Sequence, residues 1–366
     1  LLKPSAEDSS LMELTLREGF IKNSRGNHTV IYGIDIIWMH ETQAAFHKPM
    51  HAQSGRNPEL RTLFFKLARM LNSCAVPVFV FDGPGRPLMK RGRHVMEMPH
   101  WLKADFERLI NAFGFYSHQA PGEAEAELAY LNHIGVIDAV LTNDVDAFVF
   151  GAETVIRTCA ERASSTSHKK GMRFTSYYSE SLAANPQVRL LREDLFLIAM
   201  LAGGDYDQSG LIGCGVTLAQ RISQSGLGRD LFMEMRRSAD PMDVDQFLQH
   251  WRARLQHELS VDPNKTLGRR YQRLADSIEQ DFPPWEVMDK YVHPVTSEQT
   301  AGVHWRPTGW VPQCPSLEKV TLCDSPATPP PYHTQRPPLT NGRKHKPVLR
   351  PTPPETVGRV ILLKAC

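Results

Sequence analysis

The six cysteines of this chain include no Cys-x-x-Cys pair. That excludes a zinc-ribbon layout and a disulfide-dense secreted scaffold, and a reducing compartment is expected. Long apolar runs are also missing. The longest, Val76 to Phe81 and Leu195 to Ala202, fall well short of the ~20 residues a membrane helix needs, so no membrane partner is expected. The start Leu-Leu-Lys-Pro-Ser-Ala-Glu-Asp has no apolar core of a signal peptide. It also lacks Met, so the natural N-terminus is expected upstream. Charge of one sign is scarce: 42 Lys+Arg face 40 Asp+Glu, a net of +2. Alone, that balance argues against a polyanionic partner, because nucleic-acid binders usually carry a basic excess.

What is present is a globular composition, 41% hydrophobic and 22% charged over 366 residues. At roughly 150 residues per domain this allows one large domain and a smaller module. Proline divides the chain, with 13 of its 27 prolines in residues 301–366. Runs such as Pro329-Pro330-Pro331 neither continue a helix nor pair inside a sheet. We therefore expect a compact part over about residues 1–290 and a Pro-rich linker over 291–357, with short strands at 303–310 and 359–363 and room for a small C-terminal module by 366.

Within the compact part, short apolar runs lead into acidic residues. Val30 to Ile34 runs into Asp35, Val76 to Phe81 into Asp82, and Ala139 to Thr142 into Asp144 and Asp146, while Phe113 to Tyr116 precedes a helix beginning near Pro121. Continuous apolar runs of this length suit strands buried on both faces. Helical periodicity lies between them, at 60–71 and 121–132. The alternation predicts an α/β fold with a mostly parallel central sheet flanked by helices. In such sheets ligands bind at the carboxyl ends of the strands.

That edge gathers Asp35, Asp82, Glu123, Glu125, Asp144, Asp146 and Asp205. Singly, each reads as a turn or cap residue. Together they would repel one another unless cations neutralised them. Hard divalent ions with oxygen ligands do so, and a pair of them activates water and stabilises the leaving oxygen of a phosphodiester. Helical spacing leaves one tension: residues four apart share a face, which pairs Glu123 with Glu127 and turns Glu125 away. A site at the very start of the helix would use both Glu123 and Glu125, and spacing alone does not choose.

Four motifs then occur in order: Phe79-Val-Phe-Asp-Gly83 with Lys90-Arg91 after it, Ala120-Pro-Gly-Glu-Ala-Glu-Ala-Glu127, Thr142-Asn-Asp-Val-Asp146 running to Phe150-Gly151, and Gly203-Gly-Asp-Tyr206 ahead of Gly213-Cys-Gly215. Over about residues 30–225 the chain resembles the flap-endonuclease/XPG-type family of structure-specific DNA nucleases. Thr142 to Asp146, Gly151 to Arg157 and Leu60 to Phe65 are most similar to its Holliday-junction resolvase branch. The resemblance implies a PIN-like nuclease core over 1–204, a helix-two-turn-helix and helical DNA-binding region over 205–290, and the Pro-rich segment over 291–366.

It further implies that all seven acids coordinate two Mg²⁺ ions, with Mn²⁺ as a substitute. Asp35, Asp82 and Glu123 would serve one ion and Asp146 and Asp205 the other, with Glu125 and Asp144 between them. It favours Glu125 over Glu127. The basic segment Arg86 to His94 has a solvated-turn reading, but the family uses it to bring the scissile phosphate to the metals, so Lys90 is the main candidate, with Arg91 and Arg93 behind it. Gly213, Gly215 and Thr217 match the element that grips duplex backbone and often holds K⁺, although a Lys is common where Thr217 stands. Trp38 and Met39 are wedge candidates with a core alternative. His47 and His51 have ligand spacing but no evident third ligand.

Departures are visible. Asp35 leads to Ile36-Ile37-Trp38 where the family usually places a Ser, only 40 residues separate Asp82 from Glu123, and no chromodomain is recognisable. Arg252, Arg254, Lys265, Arg269, Arg270 and Arg273 suit either salt bridges to Glu258 and Asp262 or DNA contact. The tail from Ser325 to Pro354 has five Lys/Arg and no acid, which would add salt-sensitive affinity for DNA.

The expected activity is Mg-dependent endonucleolytic cleavage of branched double-stranded DNA. Four-way junctions are preferred, 5′ flaps are also cut, and 5′-phosphate ends result. Such an enzyme would be a monomer when free and a homodimer on junctions, and by resemblance nuclear. The alternatives are a replication and repair flap endonuclease, an aspartyl phosphatase built on Asp144-Val-Asp146, and a non-catalytic DNA-binding relative. No good clamp-binding box supports the first, and Phe148 stands where a phosphatase expects Thr or Val. The seven acids carry −7, so the remainder of the chain carries +9. Near-neutrality thus masks a basic surface.

Overall fold

The computed structural model describes residues 1–21, 29–36, 39, 42, 57–71, 75–90, 92–94, 100–158, 173–238 and 241–298. Leu1–Val320 form one compact unit. Thr321–Cys366 form a second that lies wholly outside the described residues, as do Trp38, His47, His51, Arg91 and the expected strands at 303–310 and 359–363.

The strands are β1 (Glu7–Ser10), β2 (Val30–Asp35), β3 (Ala75–Phe81), β4 (Met89–Lys90), β5 (Arg93–His94), β6 (Tyr116–Gln119), β7 (Ala139–Leu141), β8 (Thr154–Thr158) and β9 (Arg173–Tyr178). Seven of them form one sheet in the order β1-β9-β8-β7-β2-β3-β6. The run from β8 through β7, β2 and β3 to β6 is parallel. β9 and β1 extend it antiparallel. β4 and β5 make a separate hairpin.

The helices are α1 (Leu11–Leu16), α2 (Pro58–Met70), α3 (His100–Ala112), α4 (Ala124–His133), α5 (Asp146–Val149), α6 (Ser179–Ala184), α7 (Arg192–Ala202), α8 (Val216–Ser223), α9 (Leu227–Arg237), α10 (Pro241–Val261), α11 (Gln272–Asp276) and α12 (Trp285–Val292).

Every residue of β2 and β3 is buried, and strand periodicity divides them between two faces. Ile31, Val76, Val78 and Val80 enter one core with Leu128, Leu131, Phe196 and Leu197 of α4 and α7. Tyr32, Ile34, Phe79 and Phe81 enter the other with Leu63, Leu67 and Phe106 of α2 and α3. Phe106 meets Phe79 edge-on at 5.3 Å. Each fully buried side chain of this size is worth about 1.5–3 kcal/mol, which explains why the two central strands tolerate no polar interruption before their last residue.

Gly33 lets α4 lie tight on the sheet. A Cβ there would come within 2.3 Å of Leu128 and 2.4 Å of Ile137. The helix start is thereby drawn over the carboxyl ends of the central strands, next to the β2–β7 boundary where the strand order switches direction.

Two expectations change. The strand expected at 113–116 lies at 116–119 instead, because Phe113-Gly114-Phe115 closes α3. Gly114 has φ +72°, and the Phe115 amide donates back to Ile110 at 3.0 Å, a left-handed helix cap that delays the strand. Residues 291–298, expected within the linker, lie against the core: Tyr291 is fully buried, and Thr296 and Ser297 are 3% exposed.

Candidate metal centre and nucleic-acid interface

Asp35 ends β2 and is buried. Asp82 follows β3, and its Oδ1 accepts the Ala124 amide at 2.9 Å, capping the first turn of α4 from across the loop. Its Oδ2 faces Arg86 at 3.4 Å. Glu123 is the N-cap residue of α4 and Glu125 stands in its first turn. The helix begins between them, so the two carboxyls reach one spot from different directions. Glu127 is fully buried elsewhere. It meets His118 Nε2 at 2.8 Å and accepts the Ser297 amide and hydroxyl at 2.8 and 2.6 Å.

After β7, Thr142 Oγ1 accepts the Asp144 amide and Asp144 Oδ1 accepts the Asp146 amide. Side-chain turns of this kind hold both acids at the strand's end. Asp205 follows α7 and is buried.

These groups converge. One carboxylate oxygen each from Glu125, Asp144 and Asp205 lie within 4.8 Å of one another. Lys90, on the β4–β5 hairpin, places Nζ 2.6 Å from Glu123 and 3.5 Å from both Glu125 and Asp205. Burial alone would lower the Lys90 pKa, but Glu125, Glu123 and Asp205 outweigh it and hold the ammonium above its ordinary value.

One cation does not balance the cluster. Burial pushes the Glu125 carboxyl well above the usual range, and Asp144, Asp35 and Glu123 push the same way against Lys90. Asp146 is raised to about 7, first by burial and then by Asp144 and Asp205. Buried Glu125 Oε2 makes no hydrogen bond and faces Lys90 only at ion-pair distance. All-oxygen donors, mutual repulsion and an unsatisfied buried oxygen fit a hard divalent cation.

Two tyrosines that sequence reasoning did not select complete the site. The Tyr206 hydroxyl donates to Glu123 Oε2, and burial plus Glu123 raises its pKa. The Tyr291 hydroxyl donates to Asp146 Oδ2 at 3.3 Å and accepts the Asp205 amide at 3.0 Å. Tyr206 had a local signal, its place directly after Asp205. Tyr291 is 86 residues away from Asp205 and had none.

Of the other expected residues, Arg93 lies on β5, with Arg91 beside it outside the described residues. Gly215 is the N-cap of α8, Gly213 has φ +96°, and Thr217 is exposed in the first turn. Met39 is fully buried among apolar side chains, so it is a core residue and not a wedge.

The second basic stretch is divided. Arg254 pairs with Asp230 at 2.6 Å, and Arg252 bonds the Phe282 carbonyl. Asp262 spends its carboxylate on the Leu267 and Gly268 amides, not on an arginine. Lys265, Arg269 and Arg270 are exposed on the loop this stiffens, and Arg273 is exposed in the first turn of α11 after it. The loop adjoins α8, whose Arg221 donates to the Leu267 carbonyl at 2.8 Å.

The XPG I-region family pattern matches residues 114–205. The chain is 31% identical over 191 residues to the flap endonuclease GEN-like 1 of Arabidopsis thaliana, a match covering 45% of this chain and 30% of that protein. A Holliday junction-resolving enzyme GEN1, solved with product DNA, Mg²⁺ and Mn²⁺, superposes with a TM-score of 0.61 at 31% identity, covering 80% of this chain and 62% of the other. A eukaryotic junction-resolving enzyme GEN-1 with potassium gives 0.62 at 32% identity, covering 80% and 63%. The matched region thus spans under a third of that plant relative's length. Among the described residues no helix is long and apolar enough to cross a membrane. With the I-region on the strands and loops that carry Glu123, Glu125, Asp144, Asp146 and Asp205, and with this likeness in both sequence and fold, the chain resembles the flap-endonuclease/XPG-type family and is most like its Holliday-junction resolvase branch.

Proposed function

We propose that this chain is a divalent-metal-dependent endonuclease of branched double-stranded DNA that prefers four-way junctions and also cuts 5′ flaps. The observation that carries the reading is the convergence of Glu125, Asp144 and Asp205 within 4.8 Å at the carboxyl edge of the sheet, with Lys90 against them.

Asp35, Asp82 and Glu123 would hold one Mg²⁺ or Mn²⁺, Asp146 and Asp205 a second, and Glu125 and Asp144 lie between. When bound, such ions supply Lewis-acid activation of an attacking water and charge stabilisation for the leaving oxygen. The chain's own residues do the rest. Tyr206 orients Glu123, and the hairpin presents Lys90 beside the carboxylates, where it draws the scissile phosphate toward them. Arg91 and Arg93 extend that attraction along the backbone.

The Gly213–Gly215 turn and the exposed start of α8 offer backbone amides and carbonyls to a duplex phosphate and to K⁺, with Thr217 at the matching position. Lys265, Arg269, Arg270 and Arg273 continue a positive surface beside them. In-line attack leaves 5′-phosphate and 3′-hydroxyl ends. The enzyme is nuclear, monomeric when free, and paired on a junction, since symmetric resolution needs two cuts.

Purified protein incubated with Mg²⁺ and end-labelled four-way junction, 5′ flap, plain duplex and a phosphomonoester tests this. Nicks bearing 5′-phosphate on the branched substrates are expected, and none with EDTA. Hydrolysis of the monoester alone would identify a phosphatase instead.

A further inference from the structure

Tyr291 lies on α12, outside the residues that the I-region covers. Its side chain is fully buried, and its hydroxyl uses both of its capacities at once, accepting the Asp205 amide at 3.0 Å and donating to Asp146 Oδ2 at 3.3 Å. The acidic residues it touches come from two separate segments, one after β7 and one after α7.

The approach is built for that hydroxyl. A Cβ on Gly204 would come within 2.4 Å of it, so the second glycine of Gly203-Gly-Asp-Tyr206 leaves the space the Tyr291 hydroxyl fills. The ring is held by Tyr206 at 4.6 Å, Phe150 at 5.7 Å and Phe196 at 6.5 Å. Beyond α12 the chain is pinned again, by Ser297 on Glu127 of α4. Val295 meets Gly122 so closely that a Cβ on that glycine would stand 2.5 Å from its carbonyl oxygen.

We propose that Tyr291 is a positioning residue for the divalent-metal site, its hydroxyl fixing the Asp146 carboxylate relative to the Asp205 main chain. The proposal rests on the metal-centre reading above. Partners of this kind set ligand orientation, and losing one typically costs about 10–100-fold in metal affinity or activity. A hydroxyl that accepts from one segment and donates to the other sets their relative placement, which a phenyl ring cannot do. The final helix of the described core is therefore part of the site, which pins its α12 end at the acids and its Ser297 end at α4.

The test uses the full chain without DNA, titrating Mn²⁺ by calorimetry into wild type, Tyr291→Phe and Phe196→Leu, with metal-free melting temperatures alongside. Tyr291→Phe keeps the ring and should weaken Mn²⁺ binding about tenfold while melting close to wild type. Single-turnover junction cleavage by this variant should fall at low Mg²⁺ and recover as Mg²⁺ is raised. Phe196→Leu loosens the same ring packing, so it should melt lower with Mn²⁺ affinity unchanged. Unchanged Mn²⁺ affinity in Tyr291→Phe overturns the proposal alone. So does a comparable loss in Phe196→Leu, or a loss in Tyr291→Phe that comes with collapse of its melting temperature, because packing then accounts for the effect. No Mn²⁺ binding by wild type overturns the metal-centre reading and this proposal together.

Discussion

Removing one acid from the cluster should stabilise the metal-free protein. Asp146 is raised from an ordinary 3.8 to about 7 by burial, Asp144 and Asp205. Three units correspond to about 4 kcal/mol at 1.36 kcal/mol per unit. The side chain is partly exposed, and solvent screening reduces this to ~2 kcal/mol. For an acid whose folded pKa is raised, the stabilising protonated form is fully present below about pH 4 and is lost as pH rises through about 7. Asp146→Asn removes that loss and keeps an oxygen for the Tyr291 hydroxyl.

In EDTA at pH 8 the variant should therefore melt roughly 4–8 °C above wild type, taking about 2–4 °C per kcal/mol. The two should converge as the pH falls toward 5. Added Mg²⁺ should raise the melting temperature of wild type far more than that of the variant, and increasingly so from pH 6 to 8 as the carboxyls shed protons. Differential scanning fluorimetry across this grid is the assay. An Asn variant less stable than wild type in EDTA at pH 8 would refute the electrostatic reasoning, because the cluster would then be balanced without a cation.

Glu127→Gln should lower the melting temperature by the equivalent of about 1–3 kcal/mol, since it weakens the buried bonds to His118 and Ser297, and should leave Mg²⁺ binding intact. Glu125→Gln should do the reverse, and calorimetry with Mg²⁺ separates the two. Lys90→Met should destabilise the metal-free form, leaving Glu123, Glu125 and Asp205 without their cation, and should slow single-turnover junction cleavage by on the order of 10²-fold even at saturating Mg²⁺. Exchanging Arg269, Arg270 and Arg273 together for Ala should reduce the slope of log affinity against log salt by roughly 2–3 on plain duplex, read by fluorescence anisotropy. An unchanged slope would exclude that loop and the start of α11 from the DNA surface.

Much of this architecture could be read from the residues. Val30–Asp35 and Ala75–Phe81 are buried on both faces, and two-sided burial writes a continuous apolar run that ends where the acid begins. The strands beyond β7 left no such trace. β1 is Glu-Asp-Ser-Ser at a sheet edge and β8 is half polar, so neither raises local hydropathy. The 113–116 expectation slipped because Phe113 and Phe115 are apolar for packing across a helix cap, not along a strand. The rivalry between Glu125 and Glu127 could not be decided from 3.6-residue periodicity, since the helix begins between Glu123 and Glu125, and an N-cap residue does not obey the spacing of the turns after it. Tyr291 and Ser297 are joined to the site by contacts across 86 to 170 residues of chain, which no local pattern encodes.

Diffraction at the manganese absorption edge, from crystals of the chain soaked in Mn²⁺, tests the central claim most directly. The account predicts an anomalous peak among the carboxylates of Glu125, Asp144 and Asp205, with the Lys90 ammonium displaced from its present 2.6 Å pairing with Glu123. Saturating Mn²⁺ with no peak at that edge of the sheet and the Lys90–Glu123 pair unchanged would contradict it.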